Sequence, residues 1–171
     1  SRGLSDIDLD SREALLLAPQ FLRPTLIFGR ASTPRSHWLY LAPGAVTAKF
    51  VDPTPPLGPD GKRDGMLVEL RSTGAQTVFP PSFHPSGERV AWFGQPAGGG
   101  FAGEVERTDA AELIRAVSVL AGAALLLRDG WSEEEAIALA RGDRSQLRRL
   151  GGPRGEKACA WLDLPATRKI R

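Results

Sequence analysis

The sequence predicts an α+β fold: a β-sheet with flanking helices, followed by a smaller helical segment. Short segments rich in β-branched and aromatic residues, typical of strands, fill roughly the first hundred residues. Residues 52–65 hold four prolines and three glycines and are predicted to be a loop, because that density disrupts both helices and central strands. From residue 108 onward the pattern changes to that of helices.

The strands are predicted in order along the chain. Residues 4–10 alternate polar and apolar side chains, which indicates a half-buried strand. Asp10 or Ser11 then caps a short helix that we expect to end at Pro19. Further strands are predicted over residues 24–30, 36–43, 46–51, 65–72 and 89–94, with residues 31–35 as the loop between the second and third.

Three helices are predicted after a glycine-rich stretch. The first begins at a cap on Thr108 or Asp109 and runs to about Leu127, with Gly130 as its terminator. The second covers residues 131–140, where Ser132 and Glu135 have the spacing of a capping box. The third covers Glu156–Leu162.

Bulk properties limit the class of protein. Apolar residues make up 42% and charged residues 25% of the 171, as in ordinary globular domains. No run of eighteen apolar residues occurs, so we predict no membrane span and no membrane partner, with Leu113–Leu127 as a buried helix. The start lacks a secretory signal, and a cytoplasmic location is expected. A single cysteine, Cys159, excludes an internal disulfide and a zinc site built on several thiolates, so no zinc is expected.

The net charge of +2 is small, but arginine is concentrated late in the chain. Five arginines lie in residues 141–154, and further basic residues lie in 168–171. Such a segment can contact a phosphate backbone or can be a solvated surface, and the sequence leaves both open.

Acidic residues cluster on the first predicted strand. Asp6, Asp8 and Asp10 occupy alternate positions, so their side chains share one face. Like charges at that spacing are unfavourable unless a cation lies among them, and Mg²⁺ prefers such hard oxygen ligands. The alternative is an edge strand with a solvated acidic face.

Two other segments carry candidate site residues. Arg35, Ser36 and His37 together offer the donors that suit phosphate oxygens, although a lone histidine is more often a packed or surface residue. Glu69 lies within the apolar stretch Met66–Leu70 and therefore needs a partner: either Arg71 two residues later or a metal ion.

A rigid loop is predicted over residues 80–87. Its prolines are expected to keep Ser82, His84 and Ser86 exposed, and such loops commonly carry binding groups. A purely structural turn explains the prolines equally well.

These segments, in this order, resemble the bifunctional primase/polymerase domain of the archaeo-eukaryotic primase superfamily. The resemblance rests on IDLDSREAL, FGRASTPRSHWLY and VELRSTGAQTVFPPSFHPSGERVAW, and covers roughly Leu4 to Gly94. The helical remainder is similar to the segment that often follows this domain. The resemblance implies a primase-type (RRM-like) catalytic sheet.

The resemblance also implies roles for individual residues. The family's first acidic motif falls on Asp8 and Asp10, and its third falls on Glu69, so these three are the implied metal ligands. Asp6, one step upstream, is the less favoured ligand. The second motif falls on His37, the implied catalytic contact to the nucleotide's phosphates. The implied nucleotide-binding residues are Arg35, Ser36, His37 and Arg71, and the candidate substrate or template contacts are Ser82 and His84.

The implied function is template-directed DNA primase/polymerase activity in DNA replication, by nucleotidyl transfer with two Mg²⁺ or Mn²⁺ ions. The implied partners are a DNA template and primer, nucleoside triphosphates, and a replicative helicase domain or protein. A helicase phosphate-binding loop is absent from the chain itself. The alternatives are a non-catalytic nucleic-acid-binding remnant and a metal-dependent nuclease.

The expected organisation is a catalytic core over residues 1–96, a glycine-rich linker over 97–107 and a helical segment over 108–171. Only seven residues precede Asp8, whereas members of the family carry more sequence there. We therefore expect an N-terminally truncated first lobe.

Overall fold

The computed structural model describes residues 3–58, 61, 63–94 and 103–164. Its strands are β1 (Leu4–Leu9), β2 (Leu26–Arg30), β3 (Thr33–Leu41), β4 (Ala48–Val51), β5 (Met66–Arg71), β6 (Ala91–Trp92) and β7 (Glu106–Arg107). Its helices are α1 (Arg12–Phe21), α2 (Ala110–Arg128), α3 (Glu133–Ala140) and α4 (Gly152–Trp161), with a 3₁₀ turn at Leu147–Arg149. The predicted α+β class is confirmed.

One mixed sheet organises the fold. Its strands lie in the order β4-β5-β1-β3-β2-β6, and these neighbours are antiparallel. The short β7 runs parallel to the end of β3. The acidic strand β1 is therefore central, between β3 and β5, rather than at an edge.

The two faces of the sheet differ in chemistry. On one face, Ile7, Trp38 and Leu70 are buried in a core cluster with side chains of all four helices. On the other face, a smaller apolar cluster forms around Phe28 and Leu39. Because side chains alternate along a strand, the residues next to Ile7 point to this second face, which carries the polar residues described below.

Helix α2 is the central helix of the core. It is long and apolar enough to cross a membrane by length and composition alone. In the structure it packs against α1, α3, α4 and the sheet, and nine of its residues, among them Val117 and Leu120, are buried. Its composition is thus explained by burial on several sides within the protein, as predicted for Leu113–Leu127.

The helix ends follow local capping rules, with one correction. The capping box of Ser132 and Glu135 is present at the start of α3, as predicted. The prediction that Pro19 ends α1 was wrong, because the helix continues to Phe21. Pro19 lies in the last turn, where it removes a single intrahelical hydrogen bond, and the N–H of Leu22 still bonds to the carbonyl of Ala18.

The loop predicted over residues 31–35 was also too long. Strand β3 begins at Thr33, so only two residues separate it from β2. The register shifts at Gly29, where a Cβ would lie 2.1 Å from the carbonyl oxygen of Thr33, so only glycine fits. Pro34 is tolerated because the pairing of β3 with β1 begins only at His37. The tight hairpin brings residues 35–37 into the sheet.

Buried ion pairs join the helical segment to the sheet. The carboxylate of Asp52, whose side chain is fully buried, accepts hydrogen bonds from Arg154 on α4 at 3.0–3.2 Å. Arg128 at the end of α2 also contacts Asp52 and pairs with Glu13 on α1 at 2.9 Å. The predicted linker lies largely outside the described residues, and the division into core, linker and helical segment stays a prediction.

Four of the five arginines of residues 141–154 have side-chain contacts within the described part of the protein. Arg154 binds Asp52, Arg149 lies 4.4 Å from the ring centroid of Trp131, and Arg141 donates to Gln20. Residues 168–171, the other basic segment, lie outside the described residues.

Candidate active site

Strand pairing sets a row of side chains across the polar face of the sheet. The register places Asp8 on β1 opposite His37 on β3 and opposite Glu69 on β5. Phe28 on β2 lies opposite His37, and Lys49 on β4 lies opposite Glu69, which extends the row over five strands. Since paired residues point to the same face, residues distant in sequence become neighbours.

Three carboxylates form one cluster. A ligand oxygen from each of Asp8, Asp10 and Glu69 lies within 4.8 Å of the others. Asp8 and Glu69 are buried in the sheet, whereas Asp10 is exposed just beyond the end of β1, where its N–H bonds to the carbonyl of Leu67. An all-oxygen set with one accessible carboxylate fits Mg²⁺ or Mn²⁺ better than zinc.

Two cations balance this negative charge. The Nη2 of Arg71 lies 2.5 Å from Oδ2 of Asp8, and its Nε donates to Oε2 of Glu69 at 2.8 Å. The Nζ of Lys49 lies 3.3 Å from the other oxygen of Glu69. Burial acts to raise the pKa of Glu69, but the hydrogen bond and charge of Arg71, together with Lys49, outweigh it and hold that pKa below its usual value. The predicted Glu69–Arg71 pair therefore exists alongside the carboxylate cluster.

The two aspartates of the cluster differ from Glu69, because the pKa of each is raised. Burial raises the pKa of Asp8, and the charges of His37 and Arg71 offset this only in part. Although Asp10 is partly exposed, desolvation of its carboxylate by the surrounding protein and the neighbouring charge of Asp8 raise its pKa to about 6. A cation bound among these carboxylates would favour their charged forms and so lower both pKa values.

His37 is fixed on two sides. Its Nδ1 lies 3.0 Å from Oδ2 of Asp6 and 3.5 Å from Oδ1 of Asp8. Its ring stacks on that of Phe28, with the centroids 4.6 Å apart and the planes 8° from parallel. Burial acts to lower the pKa of His37, but the hydrogen bond to Asp6 and the charges of both aspartates produce a net rise.

A cleft of about 640 Å³ opens beside the cluster. Its lining includes six of the predicted site residues: Asp8, Asp10, Ser36, His37, Arg71 and His84. Arg30 and Arg12 also line it, which adds positive charge. The hydroxyl of Ser36 is buried and has no hydrogen-bond partner among the described residues, so a donor or acceptor in the cleft would satisfy it.

Two predicted residues lie outside both the cleft lining and the carboxylate cluster. Arg35 is exposed, with its guanidinium carbon 5.6 Å from the ring centroid of Phe93, and it does not line the cleft. Ser82 is exposed and contributes its backbone to the turn, where it pairs with Phe79 and Val90. The alternation of side chains along a strand could not predict that Arg35 lies outside the cleft, because the torsions of a long side chain also decide what it reaches.

His84 lies in the cleft within a small polar network. The N–H of Ser86 donates to its Nδ1 at 3.0 Å, so the imidazole carries its proton on Nε2. Arg30 lies 3.3 Å from the same Nδ1 and also pairs with Glu88 at 3.6 Å. The turn of residues 84–88 is therefore tied to the end of β2.

Several neighbours of the cluster were not foreseen from the sequence. Lys49, Arg30, Thr77 and Phe28 all contact a predicted site residue. Lys49 had a signal, since it interrupts a predicted apolar strand much as Glu69 does. The others depend on pairings between distant segments, which one sequence does not specify.

Comparison with known proteins identifies a family. No curated protein and no solved structure gave a match. The family model described as "Bifunctional DNA primase/polymerase, N-terminal" matches residues 1–116 of the 171. That range contains all seven strands, α1 and the carboxylate cluster. Because the match covers two thirds of the chain, including the whole sheet and the carboxylate cluster, the chain belongs to the bifunctional DNA primase/polymerase family.

Proposed function

We propose that this domain catalyses template-directed nucleotidyl transfer, extending or initiating a strand on a DNA template during replication. The family to which it belongs is one of nucleotidyltransferases that are typically dependent on divalent metal ions.

One observation carries the proposal. The cleft of about 640 Å³ is lined by Asp8 and Asp10 of the carboxylate cluster together with cationic and hydroxyl side chains, among them Arg71, Arg30 and Ser36. A nucleoside triphosphate needs both parts, since its phosphates require neutralisation and its reaction centre requires metal ligands.

The protein's own residues would act by position and charge. Asp8, Asp10 and Glu69 would hold divalent ions, and bound ions would supply activation of the attacking hydroxyl and charge stabilisation for the leaving pyrophosphate. Ser36, His37 and Arg71 line the cleft and would bind and orient the triphosphate. We assign triphosphate binding to these three residues and not to Arg35, which lies over Phe93.

Primer extension tests the proposal. We expect the protein to lengthen a labelled primer on a DNA template with Mn²⁺ or Mg²⁺ and nucleotides. The double variant Asp8→Ala with Asp10→Ala should lose extension, because two of the three proposed ligands are gone. The matched control is Glu133→Ala with Glu156→Ala, which removes two exposed carboxylates from α3 and α4 and should retain extension.

The same assay separates the rival functions. Shortening of the labelled primer would indicate a nuclease, which relies on the same metal chemistry. An unchanged primer that is nevertheless bound would indicate a nucleic-acid-binding module. Extension by the Asp8 and Asp10 double variant, in a sample free of contaminating polymerase, would overturn the assignment of the site.

A further inference from the structure

Asp6 is the acidic residue of β1 that the carboxylate cluster leaves out. It lies two positions before Asp8 on the same face of the strand, yet the cluster of potential metal ligands within the described residues comprises Asp8, Asp10 and Glu69. Only 3% of Asp6 is exposed. A carboxylate buried to that degree needs hydrogen bonds or charges close by, so its contacts indicate its role.

The contacts of Asp6 converge on His37. Its Oδ2 accepts from the Nδ1 of His37 at 3.0 Å and from the hydroxyl of Thr77 at 2.8 Å. The other oxygen, Oδ1, has no hydrogen-bond partner among the described residues. Both hydrogen bonds of the Asp6 side chain are therefore accepted by Oδ2, the oxygen that contacts the imidazole of His37.

This contact requires a proton on the Nδ1 of His37. A carboxylate oxygen only accepts hydrogen bonds, so Nδ1 of His37 must donate to Asp6. Asp8 lies 3.5 Å from the same nitrogen and favours the same arrangement. The remaining nitrogen, Nε2, is left for a ligand in the cleft that His37 lines, and it can donate to a phosphate oxygen when it carries a proton as well.

Phe28 and Thr77 complete the support. The stacked ring of Phe28 fixes the plane of the imidazole, while Asp6 fixes its rotation within that plane. Thr77 in turn orients the carboxylate of Asp6 from the segment that follows β5. The imidazole is thus held before any nucleotide arrives, which lowers the cost of ordering it on binding.

We propose that Asp6 is a positioning residue that acts through His37: it orients the imidazole toward the phosphates of the incoming nucleotide and binds no metal ion. The contact of His37 with phosphate rests on the proposed function, whereas the hydrogen bond between Asp6 and His37 does not. The two parts can therefore be tested separately.

Kinetics of nucleotide incorporation test the role of Asp6. In Asp6→Ala we expect the KM for the incoming nucleotide to rise about tenfold, with kcat changed much less, because binding of the phosphates is weakened in substrate and transition state alike. Asp6→Asn should fall between this variant and the wild type, because its amide oxygen still accepts from Nδ1. Ser5→Ala, a buried polar substitution on the other face of β1, is the matched control and should leave KM unchanged.

Two further measurements exclude other roles. The midpoint of Mn²⁺ binding, followed by thermal shift, should be the same in Asp6→Asn as in the wild type, and a large weakening would make Asp6 a metal ligand and overturn the proposal. In the double variant Asp6→Ala with His37→Ala, KM should rise no further than in His37→Ala alone. Additive effects would show that Asp6 acts independently of His37 and would also overturn it.

NMR of the histidine ring makes failure of this inference distinguishable from failure of the proposed function. In ¹⁵N-labelled protein we expect the Nδ1 of His37 to be protonated and hydrogen-bonded in the wild type, and to lose that signature in Asp6→Ala. An Nδ1 without a proton in the wild type overturns the role of Asp6 whether or not the protein polymerises. A wild type with the signature but without nucleotide incorporation overturns the proposed function and, with it, the contact to phosphate.

Discussion

The guanidinium Nη2 of Arg71 lies 2.5 Å from the carboxylate Oδ2 of Asp8. The Nε of the same arginine donates to Glu69, so one cation bridges two of the three carboxylates proposed to bind divalent ions. Arg71 thereby neutralises part of the charge that a metal ion would neutralise. The arginine and the ion are expected to compete for these oxygens.

Thermal unfolding with and without Mn²⁺ should reveal this competition. At about one hundred times its Kd, a bound ion adds about 2.7 kcal/mol, which is a rise in Tm of about 5–10 °C for a chain of this size. Arg71→Met should have a lower Tm in EDTA, because the carboxylates then repel one another, and a larger rise with Mn²⁺. Asp8→Asn with Asp10→Asn should lose the rise. An equal rise in Arg71→Met and wild type would contradict the competition.

Ser36→Ala is expected to separate binding from stability. The hydroxyl of Ser36 is buried and unpartnered among the described residues, so its removal breaks no hydrogen bond of the fold. We expect a Tm close to that of the wild type, together with a rise of about tenfold in the KM for the nucleotide, the effect of one hydrogen bond to a charged group. Steady-state incorporation and thermal unfolding measure the two quantities. A fall in Tm with an unchanged KM would assign Ser36 to the fold alone.

Arg154→Met should destabilise the whole domain. Arg154 on α4 makes hydrogen bonds to both carboxylate oxygens of the fully buried Asp52. Loss of the arginine leaves that carboxylate with the longer contact to Arg128 and the hydrogen bonds from Thr54, at a cost of about 3 kcal/mol. Urea unfolding followed by tryptophan fluorescence measures the change. Arg148→Met, an exposed arginine in the nearby 3₁₀ turn, is the control. Equal stability of both variants would mean that α4 does not support the sheet.

The ion pairs of Asp52 and Glu13 predict a dependence of stability on pH. Burial acts to raise the pKa of each, but the hydrogen bonds from Arg154 and Arg128 outweigh it, so both pKa values lie below the ordinary 3.8 and 4.5. Groups with a lowered pKa stabilise the fold above their unfolded-state pKa and lose that contribution as the pH falls through the folded value. The contribution of these two ion pairs to the free energy of unfolding should therefore decline as the pH falls below about 5.

Arg128→Met provides the test of this decline. Because the variant lacks the partner of Glu13, it should start less stable at pH 7 and lose less on acidification. Urea unfolding at several values between about pH 7 and pH 3 would show the gap between wild type and variant closing. A gap that stays constant with pH would contradict the assigned cause.

Much of the sheet could be predicted from local patterns. Alternation over residues 4–10 located β1 and placed Asp8 and Asp10 on one face, and the apolar run around Glu69 located β5. These are properties of neighbouring residues, which one sequence displays directly. Capping of α3 by Ser132 was predictable for the same reason.

Other features required the tertiary structure. The end of α1 depends on packing of Phe21, two residues beyond Pro19, against the core, and the short β2–β3 hairpin depends on the close approach at Gly29. The contact of Asp6 with Thr77 joins residues 71 positions apart. Nothing in the local pattern indicates which of the three alternating aspartates will bond to a histidine and which will join Glu69 in the carboxylate cluster.

Single-nucleotide incorporation on four templates is the most direct test of template-directed synthesis by this domain. Each template differs only in the base opposite the first position to be filled, and each nucleotide is offered singly with Mn²⁺. We predict that the complementary nucleotide is added in each case, and that Asp8→Ala with Asp10→Ala adds none. Addition that ignores the template base, or no addition by the wild type, would contradict the proposed function.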